Sequence, residues 1–178
     1  MALTGPPGSG KSTMAKELAR LLNAALLDQD AMTNPLVDVV AELLGAQDYN
    51  DPRLAKLVRN QRYECLLRVA AECVEVGTPV VLVAPFTAER KDALAWTRLA
   101  ERVTRFGGEP RLAWLRISPT DLADRLRSRA ASRDADKLQN VETYVAGLDL
   151  SQPNVPFIEV DATLSPAQQA REVLLALG

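Results

Sequence analysis

The octet Gly5-Pro6-Pro7-Gly8-Ser9-Gly10-Lys11-Ser12 constrains this chain more than any other stretch, because it fits G-x-x-x-x-G-K-[ST] at every defined position. It follows a short apolar run, Met1 to Thr4, and opens Lys11 to Asn23, where Met14, Leu18, Leu21 and Leu22 recur at helical spacing. A glycine-rich turn between strand and helix wraps backbone amides round phosphate oxygens and aims a helix N-terminus at them. Pro6 and Pro7 have no N–H, but they lie ahead of the amides of residues 8–13, so they stiffen the approach and remove no donor. Gly5, Gly8, Ser9, Gly10, Lys11, Ser12 and Thr13 are therefore the nucleotide-binding candidates. Lys11 is placed on the β- and γ-phosphates as a catalytic cation, and the Ser12 hydroxyl on Mg²⁺.

Strands and helices alternate beyond the loop. Ala24 to Asp28 reads as strand two, and Pro35 to Leu44 as a helix with Thr33 and Asn34 as capping candidates and Gly45 as its stop. Pro52 to Val76 is the longest helix, with an apolar stripe that takes in Leu54, Leu57, Cys65, Leu66 and Cys73. Pro79 to Ala84 is a continuous apolar run of the kind buried on both faces of a parallel sheet. Ala88 to Phe106 reads as helix, Arg111 to Ile117 as strand four, and Thr120 to Ala131 as helix, with Asp134 to Ala146 a further helical candidate. Phe157 to Val160 is strand five and Pro166 to Leu177 the last helix. This order predicts one α/β domain: a three-layer sandwich whose five-stranded parallel sheet is covered on both faces through right-handed crossovers. Ligands in such sheets bind at the carboxyl ends of the strands.

Composition removes several chemistries. The chain has no histidine, which excludes Ser-His-Asp and Cys-His triads and His-ligated zinc, and leaves acid/base work to carboxylates or lysine. Cys65 and Cys73 lie eight residues apart on one helix. At about 1.5 Å of rise per residue that spacing is roughly 12 Å, beyond disulfide reach, so both are expected as reduced core residues. A net charge of −2 supplies no global field to gather nucleic acid or anionic membrane, and neither is an expected partner. No apolar run is long enough to span a bilayer and no basic-then-apolar leader is present, so the expected compartment is the cytoplasm.

Other elements narrow the choice among nucleotide-binding families. There is no Asn-Lys-x-Asp run to read guanine. Strand three ends Val83-Ala84-Pro85-Phe86, without the Asp-Glu pair of hexameric AAA-type ATPases and without the Asp-Gly-Phe-Pro-Arg-like element of adenylate kinases. The chain resembles the small-metabolite kinases of the shikimate kinase, gluconate kinase and chloramphenicol phosphotransferase-like superfamily. The resemblance rests on the loop, on Asp28-Gln29-Asp30 closing strand two, on Asp124-Arg125-Leu126-Arg127-Ser128-Arg129, and on Val160-Asp161-Ala162-Thr163 before the last helix. It implies a sheet order of 2-3-1-4-5, a small lid at about residues 125–137, and ATP with Mg²⁺ as cofactors.

Asp28 and Asp30 are two apart, so on an extended strand both carboxylates face one side of the sheet edge. Asp28 is assigned to the metal together with Ser12, and Asp30 to the substrate hydroxyl as general base, an order the resemblance implies. Both also fit a solvated strand end in which Asp30 caps the following turn. Arg125, Arg129 and Arg133 fall on one helical face. The resemblance places Arg125 on adenine and Arg129, as a catalytic clamp, with Arg133 on the transferring phosphate; the same run with Arg127 also fits a solvated face paired to Asp121, Asp124, Asp134 and Asp136. Related kinases hold their acceptor between the long helix, here with Arg59, Arg62, Tyr63 and Glu64, and the segment after strand three, here with Phe86, Thr87, Glu89 and Arg90. Arg62 and Arg90 suit an anionic acceptor, or equally salt-bridged surface positions. Trp96 and Trp114 fit the core. The expected function is phosphorylation of a hydroxyl on a small metabolite such as a sugar acid, by a monomer or homodimer. A nucleotide-dependent switch ATPase with a protein partner and a mononucleotide kinase are the alternatives.

Overall fold

The computed structural model describes residues 1–49, 51–129 and 141–178, apart from the side chain of Arg129. Its elements run β1 (Ala2–Thr4), α1 (Lys11–Leu22), β2 (Ala25–Asp28), α2 (Gln29–Leu44), α3 (Pro52–Glu75), β3 (Val80–Val83), α4 (Ala93–Arg105), β4 (Leu112–Arg116), α5 (Pro119–Arg129), α6 (Val141–Ala146), β5 (Ile158–Asp161) and α7 (Pro166–Leu177). The sheet is parallel throughout and ordered β2-β3-β1-β4-β5, as the resemblance implied. That order puts β1 at the centre, so the loop that follows it emerges from the middle of the carboxyl edge.

Alternation along each strand sends side chains to two separate cores. Leu3, Val81, Val83 and Leu115 join Met14 and Leu18 of α1 and Val173 of α7 on one face. Ala2, Leu82 and Leu112 join Leu66, Leu67 and Ala70 of α3 and Leu99 of α4 on the other. Helices on both faces explain why the strands read as continuous apolar runs.

Three expectations change. First, α2 begins at Gln29 rather than Pro35: the Asp28 side chain accepts from the amides of Asp30 and Ala31, caps the helix, and leaves Pro35 inside it. Thr33 and Asn34 are thus helical and do not cap. Second, residues 88–91 form turns, and α4 starts only after Asp92 accepts from the amides of Leu94 and Ala95. Third, the stripe on α3 is narrower than its periodicity suggested. Leu57 is 52% exposed, and Cys65 and Cys73, both free thiols, are only half-buried. No described helix is long and apolar enough to cross a membrane.

Candidate active site

The loop after β1 is shaped by left-handed glycines. Gly8 and Gly10 have φ of 86° and 97°, a region costly for any residue with a Cβ. Space is tight as well: a Cβ on Gly8 would lie 3.0 Å from Leu126 Cδ2, and one on Gly10 3.3 Å from Arg125 Nη1, so those side chains would have to give way. Gly10 is also the N-cap of α1, with no side-chain cap on the free amides of the first turn. The Ser9 hydroxyl is buried beneath the loop without a hydrogen-bond partner among the described residues.

Lys11 folds back over the loop, its Nζ donating to the carbonyls of Gly5 at 2.8 Å and Pro6 at 2.9 Å. Burial of the ammonium end pushes its pKa down to about 8, against the opposing pull of Asp30 and Asp28. That both carboxylates reach Lys11 electrostatically puts the end of β2 beside the loop.

Strand geometry is not what gathers the two aspartates. β2 ends at Asp28 and the chain turns at once into α2, so the extended arrangement expected for the pair is replaced by a helix N-terminus. One Asp28 oxygen holds the amides of Asp30 and Ala31, and the other accepts the Ser12 hydroxyl at 2.8 Å. Asp30 projects from the first turn with its carboxylate 72% exposed and ion-paired to Arg62.

Arg62 is more committed than a surface cation. Its Nε donates to Thr33 Oγ1 at 2.7 Å and its Nη2 to Asn34 Oδ1 at 2.8 Å, besides the pair with Asp30. These contacts tie α3 to the start of α2. Arg90 lies elsewhere. It is buried, stacks over Trp114 with its guanidinium carbon 4.7 Å from the ring centroid, and donates to Ser151 O at 2.7 Å and to Asp149 Oδ2 at 2.8 Å. Its donors serve the segment before β5, not the cleft beside Asp30.

Arg125 bridges two loops, donating to Ser9 O at 2.8 Å and to the Ala162 carbonyl after β5. It therefore anchors α5 to the phosphate loop. Arg127 pairs with Asp124 and Glu142, as a solvated face would. Arg133, with Asp134 and Asp136, lies outside the described residues, as does most of the expected lid. Glu64 faces α4, where Arg102 takes both its oxygens. Trp114 is buried and Trp96 packs at the core margin.

Sequence patterns did not reveal how the turn after β3 is held. The Thr4 hydroxyl donates to Pro85 O at 2.6 Å, and the buried Phe86, at a left-handed φ of 43°, donates its N–H to Tyr63 Oη at 2.8 Å. The only local sign is the Val83-Ala84-Pro85 break. The partners are 81 and 23 residues away, so no local spacing names them.

Among the described residues no three acidic or cysteine side chains cluster as a closed metal cage. The Ser12–Asp28 pair instead offers two hard oxygens beside the phosphate loop. That donor set fits Mg²⁺, which is held by one or two protein oxygens and completed by phosphate and water.

A family model described as AAA domain matches residues 1–149. A shikimate kinase of Corynebacterium efficiens is 56% identical over 32 residues, a stretch that spans 18% of this chain and 19% of that protein. Solved structures extend the likeness over nearly the whole chain. A gluconokinase from Sinorhizobium meliloti superposes with a TM-score of 0.59 at 22% identity, covering 99% of this chain and 89% of that one. An APS kinase from Mycobacterium tuberculosis, in complex with AMPPNP and APS, gives 0.60 at 20%, covering 98% and 94%. A shikimate kinase from Aquifex aeolicus gives 0.55 at 21%, covering 99% and 94%. At these identities the structures share the fold. The acidic pair of hexameric AAA-type ATPases is still missing at the end of β3, where Ala84 and Pro85 stand.

Proposed function

The chain belongs to the AAA-domain family, whose model covers residues 1–149, and on that premise we propose that it is an ATP- and Mg²⁺-dependent phosphotransferase acting on a hydroxyl of a small metabolite. The observation that carries this reading is the hydrogen bond from Ser12 to Asp28 beside Lys11, with Asp30 one helical step further on. In this reading it brings a metal-side oxygen pair and an exposed carboxylate, held by Arg62, to the mouth of one phosphate loop. A hydrolytic switch has no evident need for the second carboxylate.

In this reading Lys11 neutralises the β- and γ-phosphates, and Ser12 and Asp28 hold Mg²⁺, which supplies charge neutralisation of the phosphate oxygens. Asp30 takes the proton of the acceptor hydroxyl as its oxygen bonds to the γ-phosphorus. The bond from that phosphorus to the β–γ bridging oxygen breaks and ADP leaves. Arg62 positions Asp30, Arg125 keeps α5 against the loop, and Arg129 and Arg133 are assigned to the transferring phosphate. The gluconokinase and shikimate kinase neighbours make hydroxylated acids the first acceptors to try.

The test is ADP release from Mg·ATP across pools of hydroxylated metabolites, with Lys11→Ala as the blank. Release that depends on both Lys11 and one pool supports the proposal. Acceptor-independent turnover across all pools refutes it in favour of the switch reading.

A further inference from the structure

Half of the large apolar side chains left exposed among the described residues, Leu36, Val39, Leu43, Tyr49 and Leu57, belong to the hairpin of α2 and α3. Leu36 is 71% exposed and Leu43 82%. With Val39 they recur at i, i+3 and i+7, the spacing of a seam that inserts between the side chains of a facing helix. α2 meets its own domain through other residues, with Gln29, Thr33 and Val37 as its buried positions. The seam is thus a second apolar face, and no element of the same chain covers it.

Charge is segregated along the same hairpin. Residues 29–52 hold five acids, Asp30, Asp38, Glu42, Asp48 and Asp51, and no lysine or arginine. Residues 53–63 hold four basic residues, Arg53, Lys56, Arg59 and Arg62, and no acid. A chain whose net charge is −2 therefore sets a segment of −5 beside a segment of +4. Neutralisation within one copy is incomplete. Arg62 meets Asp30 and Arg53 meets Asp51, but the exposed Glu42, Lys56 and Arg59 make no ion pair or hydrogen bond among the described residues.

The seam calls for a helix as occupant, and the charges select which one. α2 laid on the α2 of a second copy would bring acid to acid. α2 laid on the α3 of a second copy brings acid to base and sets the exposed Leu57 against the seam. A two-fold axis then repeats the same contact with the roles exchanged, which closes the assembly at two copies. The repetition also matters for size: one helix of α2's length, about 24 Å, is small against the roughly 800 Å² that each partner buries in a stable pair, and the two-fold contact doubles it.

We infer that the outer faces of the α2–α3 hairpin form a two-fold dimer interface, with α2 of each copy lying on α3 of the other. The contact braces the hairpin that carries Asp30 and Arg62. It does not depend on the phosphotransferase reading.

The test is the molar mass of the full chain by sedimentation equilibrium over a concentration series at about 0.15 M salt. The parent protein should approach twice the mass of one chain, and Leu36→Glu with Leu43→Glu should stay at one. Both leucines are exposed, so the melting temperature of that variant at dilutions where the parent is also monomeric should match the parent's. Asp38→Lys with Glu42→Lys, and separately Lys56→Glu with Arg59→Glu, should each raise the dissociation constant by about tenfold or more. All four reversals together should restore it, an outcome that damage to the fold does not produce. A single-chain mass for the parent at every concentration overturns the inference and leaves the seam to a basic helix of another protein. A dimer that survives the two leucine substitutions, or charge reversals that the combined variant does not rescue, overturns it as well.

Discussion

The Ser12 hydroxyl donates to Asp28 Oδ2 across 2.8 Å, joining the first turn of α1 to the residue that caps α2. One carboxylate therefore serves two ends: Oδ1 closes a helix and Oδ2 faces the phosphate loop. The two uses separate by substitution. Asp28→Ala removes the cap and should cost about 1 kcal/mol, read as a lower midpoint in urea. Asp28→Asn keeps a good capping side chain and should stay within a few tenths of a kcal/mol, yet raise the Mg²⁺ concentration needed for half-maximal ADP release. An unchanged Mg²⁺ requirement in Asp28→Asn would take Asp28 out of the metal site.

Asp30 carries no comparable structural load. Its carboxylate is exposed and held by Arg62, and exposed pairs contribute about 0–1 kcal/mol. Asp30→Asn should leave the melting temperature nearly unchanged and lower kcat by about 10²–10⁴, the span of a lost general base. Retention of kcat would remove it from the chemistry. Arg62→Gln should act more weakly and in the same direction, since Arg62 also holds Thr33 and Asn34.

Lys11 links pH to both stability and binding. Its pKa, about 8 when folded, lies below its ordinary 10.5. Between those values the unfolded chain holds the extra proton, so this group makes the nucleotide-free protein more stable as pH rises through the window. Below pH 8 both states are protonated and the full cost of the buried charge is present. Lys11→Met should therefore be more stable than the parent near pH 7, with the difference shrinking from pH 8 towards 10. Phosphate binding favours the charged form, so nucleotide binding near pH 8 should take up protons. Calorimetry in two buffers of different ionisation enthalpy measures this, and identical heats would contradict it.

Arg90 joins the turn after β3 to the segment before β5. Removing it leaves Trp114 without its cation and the carbonyls of Ser151 and Asp149 without their donor, and leaves Asp149 Oδ2 to Lys91 alone. Arg90→Ala should cost about 2–4 kcal/mol, the range for breaking a buried charged network. Arg90→Lys should recover only part, because an ammonium cannot donate to both carbonyls in one plane while lying on the ring. A surface role would leave both variants at the parent midpoint in urea.

Local chemistry wrote most of the fold into the sequence. The loop octet names itself because every defined position answers a steric or electrostatic need of a phosphate cradle, and the apolar runs place β1 and β3 to within a residue or two. Boundaries failed where a side chain beyond the local pattern decided them. Pro35 looked like a helix start, but the Asp28 carboxylate had already started α2. Residues 88–91 looked helical, but Phe86 and the buried Arg90 hold them as turns.

The sequence by itself determined the phosphate loop, the alternation of strands and helices, and the presence of two carboxylates at the end of strand two, since each follows from neighbours within a few residues. Only the tertiary structure decided which arginines are free. Arg62 and Arg90 are alike in sequence terms, yet their acceptors lie 28 to 61 residues away, at Thr33 and Asn34 for one and at Asp149 and Ser151 for the other. Spacing encodes which face of an element a side chain shares. It does not encode which face of another element that side chain meets, because the close packing that brings them together is a property of the whole domain.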